Sequence, residues 1–302
     1  MKRTCIVGVG LLTAATLWVA GVSLGRGADQ PPCDPAAMPD ALRGPSIFAR
    51  ENLVAWCIVP FDAKKRGPNE RVAMLQRLGI QRVAYDWRSN HVPQWDEEME
   101  LYHKNGIELV GFWEFNAAAL ELMKRHKIKT QFWVMMAGKG KDQAEMVEAA
   151  AGRIEGIARK AGPAGCTVAL YNHGGWGGEP ENQIAVIELL KTKGIGNVGI
   201  CYNLHHGHHR MKDFPAMLKN MLPYLWCLNL NGMKPGTMIL PIGQGADDLG
   251  ILKTIVQSGY RGPIGILNHR DIDAEEGLKQ NLEGLKSLLG QLGDTAALKT
   301  YR

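Results

Sequence analysis

The sequence predicts a single-domain (β/α)8 TIM barrel, and three observations predict it. Eight short apolar runs alternate with amphipathic stretches, glycine closes several of those stretches, and the alternating region has the length such a barrel needs, about 250 residues. A chain of 302 residues with 45% hydrophobic side chains has ample material for that core.

Leu53–Pro60 is the first expected strand, a short apolar run stopped by proline, and Asn69–Leu78 the first helix, closed by Leu78-Gly79. Gln81–Asp86 and Asp96–Asn105 follow as strand and helix, then Ile107–Trp113 with Ala117–His126, and Lys129–Met135 with Asp142–Lys160. The second half repeats the unit as Thr167–Tyr171 with Glu181–Lys193, Val198–Tyr202 with Phe214–Met221, Tyr224–Leu230 with Asp247–Ser258, and Pro263–Leu267 with Ala274–Leu292. The helical stretches place apolar residues three and four apart, as in Ile184, Ile187 and Leu190, so that one face buries on the sheet. Asn105-Gly106, Lys193-Gly194 and Ser258-Gly259 end as Leu78-Gly79 does, with glycine just past the last turn. An open doubly wound sheet would show the same alternation. The phosphate-cradling G-x-G-x-x-G turn it often carries is missing after the first strand, where Phe61-Asp62-Ala63-Lys64-Lys65 stands instead, and no nucleotide cofactor is expected.

The barrel is expected over residues 51–295, with a short tail at 296–302. Residues 29–50 carry Pro31, Pro32, Pro35, Pro39 and Pro45 without periodicity and read as a Pro-rich lead-in. Residues 1–28 join Met1-Lys2-Arg3 to an apolar run from Cys5 to Leu24 and end in Gly25-Arg26-Gly27-Ala28. They read as a signal peptide, or as a retained N-terminal anchor, because Arg26 interrupts the small-residue cleavage pattern and the run nears spanning length. Both readings predict an exported protein, periplasmic or extracellular, that meets a membrane only if the segment is kept. The formal charge of +5 includes Lys2, Arg3 and Arg26; without them it is +2, too little to recruit nucleic acid. The cysteines beyond residue 28 are odd in number and irregularly spaced, so no disulfide framework is implied. Cys57, Cys201 and Cys227 sit in apolar runs and are expected as buried thiols.

Ligands of such a barrel gather at the C-terminal ends of its strands. Seven of the nine histidines fall there: His91, His173, His205, His206, His208, His209 and His269. Asn172, Asn203, Asn229, Asn231 and Asn268 share that face, with Asp86, Trp87, Arg88, Trp113, Glu114, Trp133 and Trp176 nearby. Amides and imidazoles exchange hydrogen bonds with hydroxyls in both directions, and indole faces cover the apolar C–H faces of a sugar ring. The composition therefore suits a small-molecule carbohydrate. Trp176, in a turn of glycines from Gly174 to Gly178, is the better ligand candidate, whereas Trp113 and Trp133 lie inside strands and serve equally well as barrel packing. The run His205-His206-Gly207-His208-His209 offers His205 and His208 to zinc or another transition ion, and equally reads as polar surface. The amide-rich rim disfavours magnesium and calcium.

Four segments resemble, in order and spacing, the xylose-isomerase-like TIM barrel superfamily. Val168-Ala169-Leu170-Tyr171-Asn172-His173 is similar to its fifth strand, residues 197–206 to its sixth, Pro241-Ile242-Gly243-Gln244-Gly245-Ala246-Asp247 to its G-x-G-x-x-D stretch, and residues 262–267 to its last strand. The first half resembles it only in topology and at residues 79–86. The superfamily contains sugar isomerases, ketose 3-epimerases and endonuclease IV repair enzymes, and the resemblance implies a sugar isomerase or epimerase. Isomerising members hold a divalent metal with Glu, Asp, His and Glu from strands five to eight. Here the corresponding positions read Tyr171 or Asn172, Asn203, Asn229, and Leu267 or Asn268. Neutral amides do not balance a divalent charge or the enediolate formed on it. His206 stands at the histidine of the superfamily's D-x-x-H, which contacts substrate in relatives.

Two expectations follow. The first is an isomerase- or epimerase-like enzyme acting on a carbohydrate or keto-sugar through His206, His173 or His269 as acid and base, with Glu114 or Asp86 as a second titratable group. Elimination beside a carbonyl would use the same groups. Asp86, Trp87, Arg88, Asn172, Trp176, Asn203, Asn229, Asn231 and Asn268 form the expected substrate-binding set. The second is a non-catalytic carbohydrate-binding barrel that kept the pocket and lost the metal chemistry. So many ionisable groups on one face favour the enzyme, and the charge opposes a DNA-repair role.

Overall fold

The computed structural model describes residues 46–235 and 237–301; the expected leader at 1–28 and residues 29–45 of the lead-in lie outside them. Eight parallel strands close into a ring. They are β1 (Leu53–Trp56), β2 (Arg82–Tyr85), β3 (Glu108–Trp113), β4 (Gln131–Val134), β5 (Thr167–Tyr171), β6 (Val198–Asn203) and β7 (Leu225–Leu230), then, after a small antiparallel hairpin of β8 (Gly232–Lys234) and β9 (Thr237–Leu240), β10 (Ile264–Leu267), which pairs with β1. The crossovers are α1 (Pro68–Arg77), α2 (Trp95–Lys104), α3 (Ala117–His126), α4 (Gln143–Ala161), a one-turn α5 (Gly175–Gly178) leading into α6 (Pro180–Thr192), α7 (Phe214–Met221), α8 (Asp248–Ser258) and α9 (Ala274–Leu292), with a one-turn α10 (Thr295–Leu298) at the end.

Local chemistry explains the boundaries. Proline opens α1 and α6, where no backbone N–H is needed, and the side chains of Asn116 and Asp142 accept from Ala119 N and Glu145 N at the starts of α3 and α4. Gly79, Gly106, Gly194 and Gly259 take positive φ at the four helix ends read from the sequence. Alternation along the strands sorts side chains into two apolar layers. Val54, Ala84, Trp133, Ala169, Cys201 and Leu267 fill the lumen, while Leu53, Val83, Phe132, Val168, Ile200 and Ile266 pack outward against the helices. The outer layer also holds a buried ion pair between Arg71 of α1 and Glu98 of α2, whose guanidinium donates in addition to Arg66 O at 2.6 Å.

The structure adds three features to the expected plan. β1 ends at Trp56 rather than Pro60, because Cys57 turns into the left-handed region with φ 60°. The β8–β9 hairpin stands between the seventh barrel strand and its helix, where the sequence pattern predicts no element. Residues 46–50 of the expected lead-in and the last residues of the chain pack together beneath the N-terminal end of the barrel. There Tyr301 Oη donates to Phe48 O at 2.8 Å, Arg50 N donates to Thr300 Oγ1 at 2.9 Å, and the Ser46 hydroxyl bonds Asp294. Phe48 and Tyr301 are both buried.

Candidate active site at the barrel mouth

The floor of the mouth is aromatic. Trp56, Trp113, Trp133 and Tyr171 come from the C-terminal ends of β1, β3, β4 and β5, and alternation turns all four inward. Trp56 meets Trp133 edge-on at 4.7 Å and Trp113 meets Tyr171 edge-on at 4.9 Å, between centroids. Space for Trp133 is made by Gly111 of the neighbouring strand, where an added Cβ would fall 2.4 Å from the indole. Tyr171 reaches across the lumen, and its oxygen accepts from Trp56 Nε1 at 3.1 Å and from Asn203 Nδ2 at 2.5 Å.

Three imidazoles stand above this floor. His173 follows β5, His206 follows β6, and their rings lie 4.3 Å apart between centroids; the His206 ring stands edge-on to Tyr171 at 5.7 Å. His205 lies against His206 at 4.8 Å. Burial, reinforced by the fields of His173, His205 and His269, pushes His206 down to about 3, so it is neutral at ordinary pH. His269, after β10, packs on Phe61 at 3.6 Å, and the Arg88 guanidinium covers Phe61 at 5.4 Å. Burial first, then Arg88 and His173, lowers the His269 pKa against the opposing pull of Asp271.

Two carboxyls complete the site. Glu114 follows β3 in the left-handed region at φ 55°; its Oε1 accepts from Met135 N at 2.9 Å and its Oε2 lies 3.9 Å from Arg153. Burial raises its pKa, while the Met135 N–H, Arg153 and His173 oppose the rise. Asp86 is 2% exposed, and the backbone N–H groups of Val59 and of Asp86 itself are the polar groups beside its carboxyl. Burial pushes it up to about 7 despite Arg88, and it in turn helps hold up the Cys57 thiol, which burial already raises. Two non-glycine residues with positive φ, Cys57 and Glu114, thus flank the mouth, and backbone strain of this kind gathers at functional sites.

Several expected site residues face elsewhere. Asn172 points away from the lumen and clamps β6, donating to Asn203 O and accepting from Asn203 N. Trp87 belongs to the outer layer, with its Nε1 bonded to Trp113 O at 2.6 Å. Trp176 is a loop strut: its indole packs where a Cβ on Gly138 would stand, and its N–H donates to Gln143. Asn268 turns outward toward Gly277 of α9. Asn231 is buried and donates to the adjacent Gly232 O. His208 lines a separate cleft of about 360 Å³ between α7, α8 and the hairpin. Asn203 and Asn229 do face the lumen, where Asn229 bonds the thiols of Cys201 and Cys227. Trp56, Cys57 and Phe61 were not singled out as site residues in the sequence; their place at and just after the end of the first strand was the signal.

No group of three His, Cys, Asp or Glu side chains is arranged to hold a metal among the described residues, and His205 and His208 do not form one. The lumen positions where the resemblance implies metal ligands carry Tyr171, Asn203, Asn229 and Leu267. This donor set has no carboxylate, its amides are already committed, and it does not fit a divalent cation.

Known proteins share this architecture. A zinc-binding IOLI protein superposes with a TM-score of 0.62 at 14% identity, covering 79% of this chain and 98% of that one. The 3-keto-D-glucoside 4-epimerase YcjR from E. coli gives 0.58 at 12% identity, covering 80% and 99%. D-allulose 3-epimerase from Methylomonas sp., in complex with D-allulose, gives 0.58 at 13%, covering 79% and 97%. At such identities the superpositions show the fold. No protein of curated function matches the sequence. The model of one family does match, across residues 49–288 and so through every barrel strand, and the chain belongs to that family, the xylose isomerase-like TIM barrels.

Proposed function

We propose that this protein moves a proton beside the carbonyl of a ketose or ring-oxidised sugar, as an isomerase- or epimerase-like enzyme that uses imidazole in place of metal-bound groups. One observation carries the reading: His173 and His206 face each other over one aromatic floor with His269 in electrostatic reach, and burial keeps His206 uncharged. An imidazole held near 3 is a poor base but a good neutral hydrogen-bond partner for a substrate oxygen. His173, exposed at the rim and in contact with His206, carries the proton to and from carbon. Glu114 lies within the electrostatic reach of His173 and steadies the imidazolium formed there. The tryptophan floor takes the apolar face of the ring.

The test is proton exchange in D2O, followed by NMR over a panel of ketoses and oxidised glycosides. Exchange at the carbon beside the carbonyl, lost in His173→Ala and His206→Asn, supports the proposal. The missing carboxylates favour one rival, a carbohydrate-binding barrel without turnover. Sugar binding with no exchange anywhere in the panel would establish that rival. Export is proposed from residues 1–28 alone, and N-terminal sequencing of the protein from fractionated cells decides it.

A further inference from the structure

The Tyr171 hydroxyl has both lone pairs in use and its proton unused. Trp56 Nε1 can only donate, and it does so to the phenol oxygen. The Asn203 amide has one available orientation, because its Oδ1 accepts from His205 N at 3.1 Å; the group directed at Tyr171 is therefore the NH2, which also only donates. A phenol has two lone pairs and one hydrogen. With both pairs occupied, the O–H needs a third partner, and no acceptor for it is found among the described residues. Trp56, Tyr171 and Asn203 each end their strand, which sets the hydroxyl in the top layer of the lumen, beneath His206.

We infer that the Tyr171 O–H is the hydrogen-bond donor for the carbonyl oxygen of the sugar, doing by hydrogen bonding what this donor set cannot do by holding a divalent cation. The inference rests on the keto-sugar reading above. Burial holds the Tyr171 phenol well above its ordinary pKa, so its proton stays on oxygen, while the two N–H groups aimed at that oxygen pull in the other direction and polarise the O–H toward an acceptor. In the step itself, the C–H bond beside the carbonyl breaks and its proton goes to imidazole. The C–H electron pair becomes the new C=C bond, and the carbonyl π pair moves onto oxygen. The Tyr171 proton stays on tyrosine and holds the enolate oxygen through a bond that tightens as charge develops. Returning the proton to carbon restores every group without a co-reactant.

The experiment is infrared difference spectroscopy of a glycoside with a 13C-labelled ring ketone, bound to chelator-treated protein. In the wild type the bound ketone stretch is expected below its solution frequency. Tyr171→Phe returns it toward the solution value, and Trp56→Phe, which removes one donor but keeps the hydroxyl, gives a smaller shift than wild type. Turnover in Tyr171→Phe falls roughly 100- to 1,000-fold in kcat, the effect of deleting one oxyanion donor, with KM nearly unchanged. If Tyr171→Phe does not fold, Trp56→Phe decides alone. An unshifted wild-type ketone, a stretch unchanged by the variant that decides, or turnover abolished by the chelator overturns the inference while leaving the keto-sugar reading in place. Failure of the wild type to bind any ketone-bearing sugar overturns both.

Discussion

His173 and His206 face one another at 4.3 Å, although one follows β5 and the other β6. The pair is asymmetric, since His173 is exposed and His206 is partly enclosed. With a folded value of about 3 against an ordinary imidazole value near 6.5, His206 binds its proton more readily in the unfolded chain. Its contribution to stability therefore rises with pH between those values and is lost as pH falls. NMR of the imidazole C–H resonances checks this: His206 should stay neutral down to about pH 4. Because burial is the first cause, His173→Gln should leave its midpoint well below the ordinary value. A midpoint near 6 would remove the basis for calling it a neutral hydrogen-bond partner.

Asp86 works in the opposite direction. Its folded value of about 7 exceeds the unfolded value near 3.9, so the native state holds the extra proton and stability declines as pH climbs from about 4 to 7. Asp86→Asn removes that slope. The variant should match wild type near pH 3 and exceed it by about 2–4 kcal/mol at pH 8 in urea unfolding. Parallel pH profiles for the two proteins would show that Asp86 does not titrate there.

The Arg71–Glu98 pair is buried on both sides. Replacing Glu98 by Gln leaves the guanidinium without its counter-charge and should cost about 3–5 kcal/mol, read as a lower urea midpoint. A loss below about 1 kcal/mol would mean that water reaches the pair.

Gly111 and Gly152 form a matched test of the floor. A methyl on Gly111 collides with the Trp133 indole, so Gly111→Ala should destabilise by about 1–3 kcal/mol, disturb tryptophan fluorescence and weaken sugar binding. Gly152, inside α4, has open space where a Cβ would stand. Gly152→Ala should stabilise by about 0.5–1 kcal/mol and leave binding alone. Equal effects from both would mean the floor adapts.

The barrel was legible because its signals are local. Apolar runs and the glycines at 79, 106, 194 and 259 mark where each element stops, independent of what packs on it. The end of β1 was not legible, since Cys57 adopts a conformation that its residue type does not advertise. The histidines of the mouth were visible from position alone. The asparagines were over-read: Asn172 and Asn268 lie one residue past the inward-facing Tyr171 and Leu267, so alternation sends them outward. Extending that alternation from Ala169 through Tyr171 to His173 would have separated them. Tyr171 looked like a lost metal ligand because the hydrogen bonds that define its role come from β1 and β6, on distant parts of the chain.

The stitching of Tyr301 to Phe48 and of Thr300 to Arg50 brings the two ends of the described chain side by side, on the face away from the mouth and its histidines. A short linker there makes the barrel continuous, and its ends can be re-cut at Gly194, exposed in the turn between α6 and β6. Such a circular permutant keeps every strand neighbour and every rim residue. The order in which the chain is written is thus separable from the ring that forms the site.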